Sequence, residues 1–332
     1  MDVTVVDAIE RIPADEFDAL DDAAGVAGCH ARLRQLEQDG RWHVEYHCVR
    51  DGGRLLAAVP AYLGTSDAWP DDDYAPSAWG HPKNLTPATS VLVGGRADLY
   101  STLHRDTTAR NSDLTRRLIA HLHDTYGGDH RSLVFAYFTD AEIKGIQAAA
   151  PADIDVRDVG RDARFDRHLV PEPDLGYKVR STLRRDLSAA ERAGLRARTV
   201  EWDEVAADAS RLVADHNLRK GRLDHPDLVA YRMDQWRACP GAQVLVVEAA
   251  AGDVRGYQVC VSWRDWLHVH EIGLTPGHGA TRHAVYAHLI LHGPLRLARR
   301  LGARRVRAGL ASEEPKASRG ATFTPITGGV LS

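Results

Sequence analysis

One order of elements occurs twice along this chain of 332 residues, and that recurrence narrows the fold more than any single motif. Residues 43–50 and 54–63 are β-rich runs joined by Asp51-Gly52-Gly53, a spacing that predicts a hairpin. Residues 113–126 then place Leu114, Leu118, Ile119 and Leu122 on one helical face, with Ser112 a candidate cap and Gly127 a stop. A buried-looking strand over 131–138 and a short helix over 140–149 follow. In the second half, helices over 178–194 and 204–218 precede strands at 243–248, 257–263 and 266–274. A helix from about Arg282 is interrupted at Gly293-Pro294, stops at Gly302, and leads into a last clear strand at 305–310.

Antiparallel strands, a crossover helix and then a parallel strand make up an order that resembles the GNAT core. It is clear in the second half and looser in the first. The expected fold class is α+β: two tandem GNAT-like domains, each a mixed, mostly antiparallel sheet flanked by helices. Pro151, Pro171 and Pro173 punctuate the join, and the domains are expected at 1–160 and 161–332. A single larger mixed α/β domain is the alternative.

Composition narrows the function classes. Hydrophobic residues at 44% and charged residues at 27% fit an ordinary globular chain. No run reaches the ~18 apolar residues of a membrane span, and Met1-Asp2-Val3-Thr4 does not open a signal peptide. Cys29, Cys48, Cys239 and Cys260 are scattered, with no CxxC pair, and read as reduced core residues. The expected compartment is the cytoplasm. A net charge of −4 opposes bulk nucleic-acid affinity, yet residues 178–198 hold seven basic side chains against two acids, and 296–307 hold six arginines and no acid. Such segments suit an anionic partner; solvated helix faces are the plainer reading. No GxSxG elbow, P-loop or GxGxxG occurs, so hydrolase, NTPase and dinucleotide readings lack support.

Val179-Arg180-Ser181-Thr182-Leu183-Arg184-Arg185, followed by Ala190-Glu191-Arg192-Ala193-Gly194-Leu195, resembles the basic helix that opens the second domain of Fem-type peptidyltransferases. The stretch from Gly309 through Lys316, Arg319 and Gly320, with Pro325 beyond, is similar to that superfamily's closing K-x-x-R-G loop. Leu33-Arg34-Gln35-Leu36-Glu37 and Ala58-Val59-Pro60-Ala61-Tyr62-Leu63 also look like Fem-related N-acyltransferases. The resemblance touches both halves in islands. It implies two GNAT-like domains that transfer an acyl or aminoacyl group to an amine. The donor implied is aminoacyl-tRNA as a co-substrate with no bound cofactor; acyl-CoA is the alternative. Partners implied are tRNA and a small-molecule or peptide amine acceptor.

Amide formation needs a proton acceptor, an oxyanion partner and aligned reactants. In a GNAT core the fourth and fifth strands splay, and here they correspond to 266–274 and 305–310. Alternation on the first sends His268, His270 and Ile272 one way and Val269, Glu271 and Gly273 the other. Glu271 is the candidate general base and His270 the second candidate; an arginine ion pair and a core histidine are their plainer roles. Gly277-His278-Gly279-Ala280 falls where acetyl-CoA-dependent relatives carry a pyrophosphate loop, but the expected Arg or Gln at its start is missing, and a turn explains it equally. As the closing motif implies, Lys316 would neutralise phosphate or an oxyanion, and Arg319, beside Gly320, would grip phosphate. Lys178, Arg180, Arg184 and Arg185 offer a helix face for an RNA backbone. No metal is expected: His288 and His292 have zinc-like i,i+4 spacing without a completing ligand. Trp69, Tyr74 and Trp79 beside Asp71–Asp73 suit an acceptor pocket or, more simply, a loop packed by its own aromatics. A non-catalytic binding module on the same fold is the rival from another class.

Overall fold

In the computed structural model, residues 1–20, 25–64, 66–82, 85–106, 111–129, 131–166, 175–205, 208–250, 252–277 and 279–332 are described. Pro171, Pro173 and His278 lie outside them. The chain forms two units, one of Met1–Arg161 with Thr324–Ser332, the other of Asp162–Phe323.

In the first unit β1 (Asp2–Val6) leads through α1 (Ala14–Asp18) and α2 (His30–Glu37) to β2 (His43–Asp51) and β3 (Arg54–Leu63). Gly52 and Gly53, at φ 56° and 88°, make the turn between them. Two successive positive φ values describe the two-residue turn whose twist matches the strands, and glycine adopts them without a Cβ clash. β4 (Ser90–Val93) and the two-residue β5 (His104–Arg105) both pair with β3. α3 (Asn111–Tyr126) crosses over to β6 (Ser132–Thr139), which runs parallel to β4. Leu114, Leu118, Ile119 and Leu122 face the core beside Phe135 and Phe138, as the 3.6-residue spacing requires. Ser112 sits inside the first turn of α3, not before it. Thr139 and Glu142 cap α4 (Asp140–Ala149) reciprocally.

The second unit repeats the plan. The later part of β7 (Ile154–Asp166) supplies one edge; α5 (Tyr177–Arg192), β8 (Arg196–Val200), α6 (Ala209–Leu218) and α7 (Pro226–Arg237) precede the meander β9 (Ala242–Glu248), β10 (Val254–Trp263) and β11 (Trp266–Leu274). α8 (Gly279–Ala287), one wide π turn (His288–His292) and α9 (Gly293–Leu301) cross over to β12 (Arg305–Gly309), parallel to β11. The wide turn accommodates Pro294, which has no N–H to give the preceding turn. A Cβ at Gly293 would meet Leu245 at 2.5 Å, so glycine lets this bend sit on the sheet. Cys29, Cys48, Cys239 and Cys260 are buried, and no disulfide joins them. Among the described residues no helix is long and apolar enough to cross a membrane.

Two expectations change. The strand at 305–310 is not the last: Thr322–Leu331 forms another, and Ile326, Thr327, Gly329, Val330 and Leu331 pair with β6. The closing nine residues therefore belong to the first unit, whereas 161–332 was expected to form the second. This pairing buries Val330 and Leu331, which the polar, glycine-bearing stretch around them does not announce. The helix α7 also went unread, although Pro226 stands at its first turn and the His225 side chain accepts the Asp227 N–H.

Candidate functional site

β11 and β12 pair only over Trp266–Arg305, Leu267–Val306 and His268–Arg307. Beyond that point the strands separate, and six more residues of β11 run on without β12. The parting has local causes on both sides. Gly309 takes φ 73° where β12 slips register against β7. On β11, Val259 opposes His270 and Tyr257 opposes Gly273, so three residues span an interval of two, and Glu271 takes φ 42°. That is a bulge, and it re-aims side chains.

The bulge overturns the simple alternation expected here. His270 stacks on Trp236 with centroids 4.0 Å apart, while Glu271 meets Arg232 in a two-pronged ion pair at 2.8 and 3.2 Å. Arg232 and Trp236 lie one turn apart on α7, so two consecutive strand residues address the same helix. Asp224 holds the other side of Arg232 at 2.6 and 3.1 Å. Burial acts to lower the Arg232 pKa, but the Glu271 and Asp224 carboxylates hold it above its ordinary value. Glu271 is thus one partner of an arginine ion pair, and the Arg232–Asp224 bracket belongs to α7, which the sequence reading did not include.

Lys316 lies at the opposite lip, in α10 (Glu313–Ala317), and is 3% exposed. Its Nζ donates to the carbonyls of Ala308 at 2.7 Å and Gly309 at 2.9 Å. Those are end-of-strand carbonyls beyond the last β11 pair, and a buried carbonyl needs a donor. Burial, partly offset by Asp162, brings the lysine pKa down to about 8. Asp162, itself fully buried, pairs with Arg307 at 3.0 Å and Arg164 at 3.1 Å. His268, buried beside Arg307, has a pKa well below its usual range, through burial first and the guanidinium second.

Arg319 does not present a free phosphate fork. Its Nε and Nη2 bind Asp186 of α5 at 2.8 and 3.1 Å, and it is 6% exposed. The closing loop and the basic helix therefore meet through this pair. Gly320, at φ 87°, ends α10: its N–H reaches Ala317 and that of Ala321 reaches Lys316, a Schellman stop. On α5, Lys178, Arg184 and Arg185 are exposed and Arg180 is half-buried, while Leu183, Asp186 and Ala190 face inward. The second basic segment is mostly used internally. Arg296 donates to the Ala197 carbonyl, Arg300 to Thr199 and Gln243, Arg305 lies over Trp266, and Arg307 holds Asp162.

Gly277 lines a cavity of about 160 Å³ together with Arg255, Thr275, Pro276, Thr281 and Arg282. Gly279, at φ 75°, is the first residue of α8, whose N-terminal end therefore begins beside this cavity. Two guanidinium groups and a helix N-terminus favour an anion; neither arginine was singled out from sequence, since neither belongs to a basic run. The aromatic loop is tied to its surroundings: Tyr74 is buried, its hydroxyl donates to Ala97, its ring meets Tyr137, and Trp69 donates to Leu85. His288 and His292 are buried in the wide turn, with His292 down to about 3 through burial. Among the described residues no three His, Cys, Asp or Glu side chains gather as a metal site.

No protein-family model and no curated protein matches the sequence. Solved structures do match in fold. The chain is similar to FemX, with a TM-score of 0.61 at 10% identity over 99% of this chain and 97% of that one. It is similar to the C-terminal domain of a putative lysylphosphatidylglycerol synthetase from Agrobacterium fabrum, at 0.59 and 14% over 98% and 92%. A tandem GNAT protein from the clavulanic acid biosynthesis pathway aligns at 0.53 and 15% over 99% and 98%. Two units with one strand plan, each closed by a parallel pair across a helix, give this chain the tandem GNAT fold of the Fem-like proteins.

Proposed function

We propose that this protein is an acyltransferase that forms an amide bond, and that it moves an aminoacyl group from aminoacyl-tRNA to an amine on a small metabolite or peptide. The observation that carries the reading is the parted β11–β12 pair, with a buried ammonium at one lip and an arginine-lined cavity at the loop between β11 and α8. An extended acyl carbonyl fits along an unpaired strand edge, where backbone N–H groups stabilise the oxyanion. In this reading Lys316 fixes the end of β12 and places positive charge beside the reacting carbonyl. Gly277, Gly279, Arg255 and Arg282 receive donor phosphate, and Lys178, Arg184 and Arg185 contact the RNA backbone. Glu271, clamped by Arg232, and His270, stacked on Trp236, set the curvature of β11.

A second reading, acyl-CoA as donor on the same site, draws on the cavity, whose position suits a pyrophosphate. Incubation with charged tRNA or acetyl-CoA and a panel of amines, with and without RNase, separates the two. RNase-sensitive amide formation is expected. Transfer from acetyl-CoA that survives RNase refutes the tRNA-dependent form, and no transfer from either donor removes the acyltransferase reading.

A further inference from the structure

Few large apolar side chains stand in solvent among the described residues, and four of them crowd between residues 218 and 231, at the corner where α6 gives way to α7. Leu223 is 94% exposed, Leu228 58%, Leu218 57% and Tyr231 44%. The corner is a built turn. Gly221 takes φ 77°, the Arg222 N–H returns to the Asn217 carbonyl at 3.0 Å, and the Asn217 amide donates to Asp224 at 2.7 Å. Asp224 in turn holds Arg232 of α7, so the turn is fastened to both helices and presents Leu223 from a fixed base. On α7, Val229, Met233 and Trp236 face the core, while Leu228 and Tyr231, three apart, share the outward side. A concentration of apolar surface that the fold itself leaves uncovered marks a place where something else covers it.

The same corner is positively charged. Arg219, Lys220 and Arg222 are exposed and interleave with the leucines, and Arg282 of α8 stands half-buried close by. Arg219 and Lys220 donate to neutral oxygens, the Leu274 carbonyl at 2.8 Å and Ser312 Oγ at 2.7 Å. Among the described residues no carboxylate pairs with any of the four cations. Partial burial first, then Arg222 and Arg282, lower the Lys220 pKa, as like charges gathered without a counterion should. The acids of the segment are engaged: Asp224 by Arg232, and Asp227 in the first turn of α7, 3.4 Å from His225. Apolar tips set among such cations have one complement, a lipid surface whose anionic headgroups meet the charges and whose acyl boundary receives the leucines. An RNA backbone would use the cations and leave the leucines in water. We propose that the α6–α7 corner is a peripheral membrane-docking site: Leu218, Leu223, Leu228 and Tyr231 enter the headgroup layer of an anionic bilayer, and Arg219, Lys220 and Arg222 hold its phosphates. The chain then lies on the membrane without spanning it. This goes beyond the transfer reading and holds for either donor.

The test uses the whole chain in a flotation assay with vesicles of phosphatidylcholine, alone or mixed equally with phosphatidylglycerol. Binding to the mixed vesicles is expected, about tenfold weaker on the neutral ones and falling as salt rises. Leu223→Glu with Leu228→Glu lowers binding at least about tenfold. Lys220→Gln with Arg222→Gln lowers it about tenfold at low salt and little at high salt. Leu301→Glu, at an exposed leucine of α9, leaves it unchanged, and equal Tm values verify that the variants fold. Because the native cysteines are buried, Leu223→Cys takes a polarity-sensitive dye at the tip, whose emission moves to the blue on the mixed vesicles. No vesicle binding, either pair of variants binding as the wild type does, or a dye that does not respond overturns the proposal. Loss of tRNA affinity in the leucine variants without vesicle binding assigns the corner to RNA, and overturns it as well.

Discussion

The two units solve one structural problem in opposite ways. Each has a fifth strand running parallel to a fourth, and each fifth strand carries a bulge with a left-handed residue: Tyr137 in β6 and Gly309 in β12. A bulge leaves carbonyls without ladder partners. In the first unit the Tyr137 carbonyl takes the backbone N–H of Ser101, and the joint is filled by Phe138, Phe135 and the Tyr74–Tyr137 ring pair. In the second, the Ala308 and Gly309 carbonyls take the Lys316 ammonium, among His268, Arg307 and Asp162. Neutral, aromatic filling makes a joint that packs. A charged, titratable one costs burial energy and brings chemistry.

This contrast can be broken by substitution. Phe138→Ala empties a fully buried site in the first unit and is expected to cost about 4 kcal/mol, with donor binding unchanged; urea unfolding and donor titration check it, and lost donor affinity would erase the division of labour. Lys316→Met leaves two carbonyls unpaired for about 2 kcal/mol, yet abolishes transfer, as single-turnover assays would read. A variant as active as wild type shows the ammonium to be only a strut.

The same lysine has a pH signature. Its pKa is about 8 folded against 10.5 in the unfolded chain. Between these values the unfolded chain holds the extra proton, so wild-type stability should rise with pH, while Lys316→Met lacks that slope. Urea unfolding at about pH 7 and about pH 10 compares the two, and parallel curves would contradict the buried ammonium. Activity that needs the charge should fall above about pH 8.

Glu271→Gln is expected to cost about 1 kcal/mol and change turnover less than tenfold. A loss of 100-fold or more at unchanged Tm would return the carboxylate to the role of base. The smallest effects belong to α5: Lys178→Ala, Arg184→Ala or Arg185→Ala should shift stability by less than about 0.5 kcal/mol. Each should lower the salt slope of tRNA binding by about one.

The sequence by itself determined what local rules govern. Gly52-Gly53 specified a hairpin, the Leu114–Leu122 spacing a core-facing helix, and the order of elements the repeated plan. It also placed Lys316 and Gly320 just beyond the strand that follows the second crossover helix. What tertiary structure decided was partnership. Arg232 reaches Glu271 across 39 residues, Arg319 reaches Asp186 across 133, and Thr322–Leu331 pairs with the distant β6. Periodicity reports which face of an element is apolar. It carries no information on where a bulge will reset that face, or on which distant carboxylate meets a given arginine, because those outcomes depend on register and packing between segments far apart in the chain.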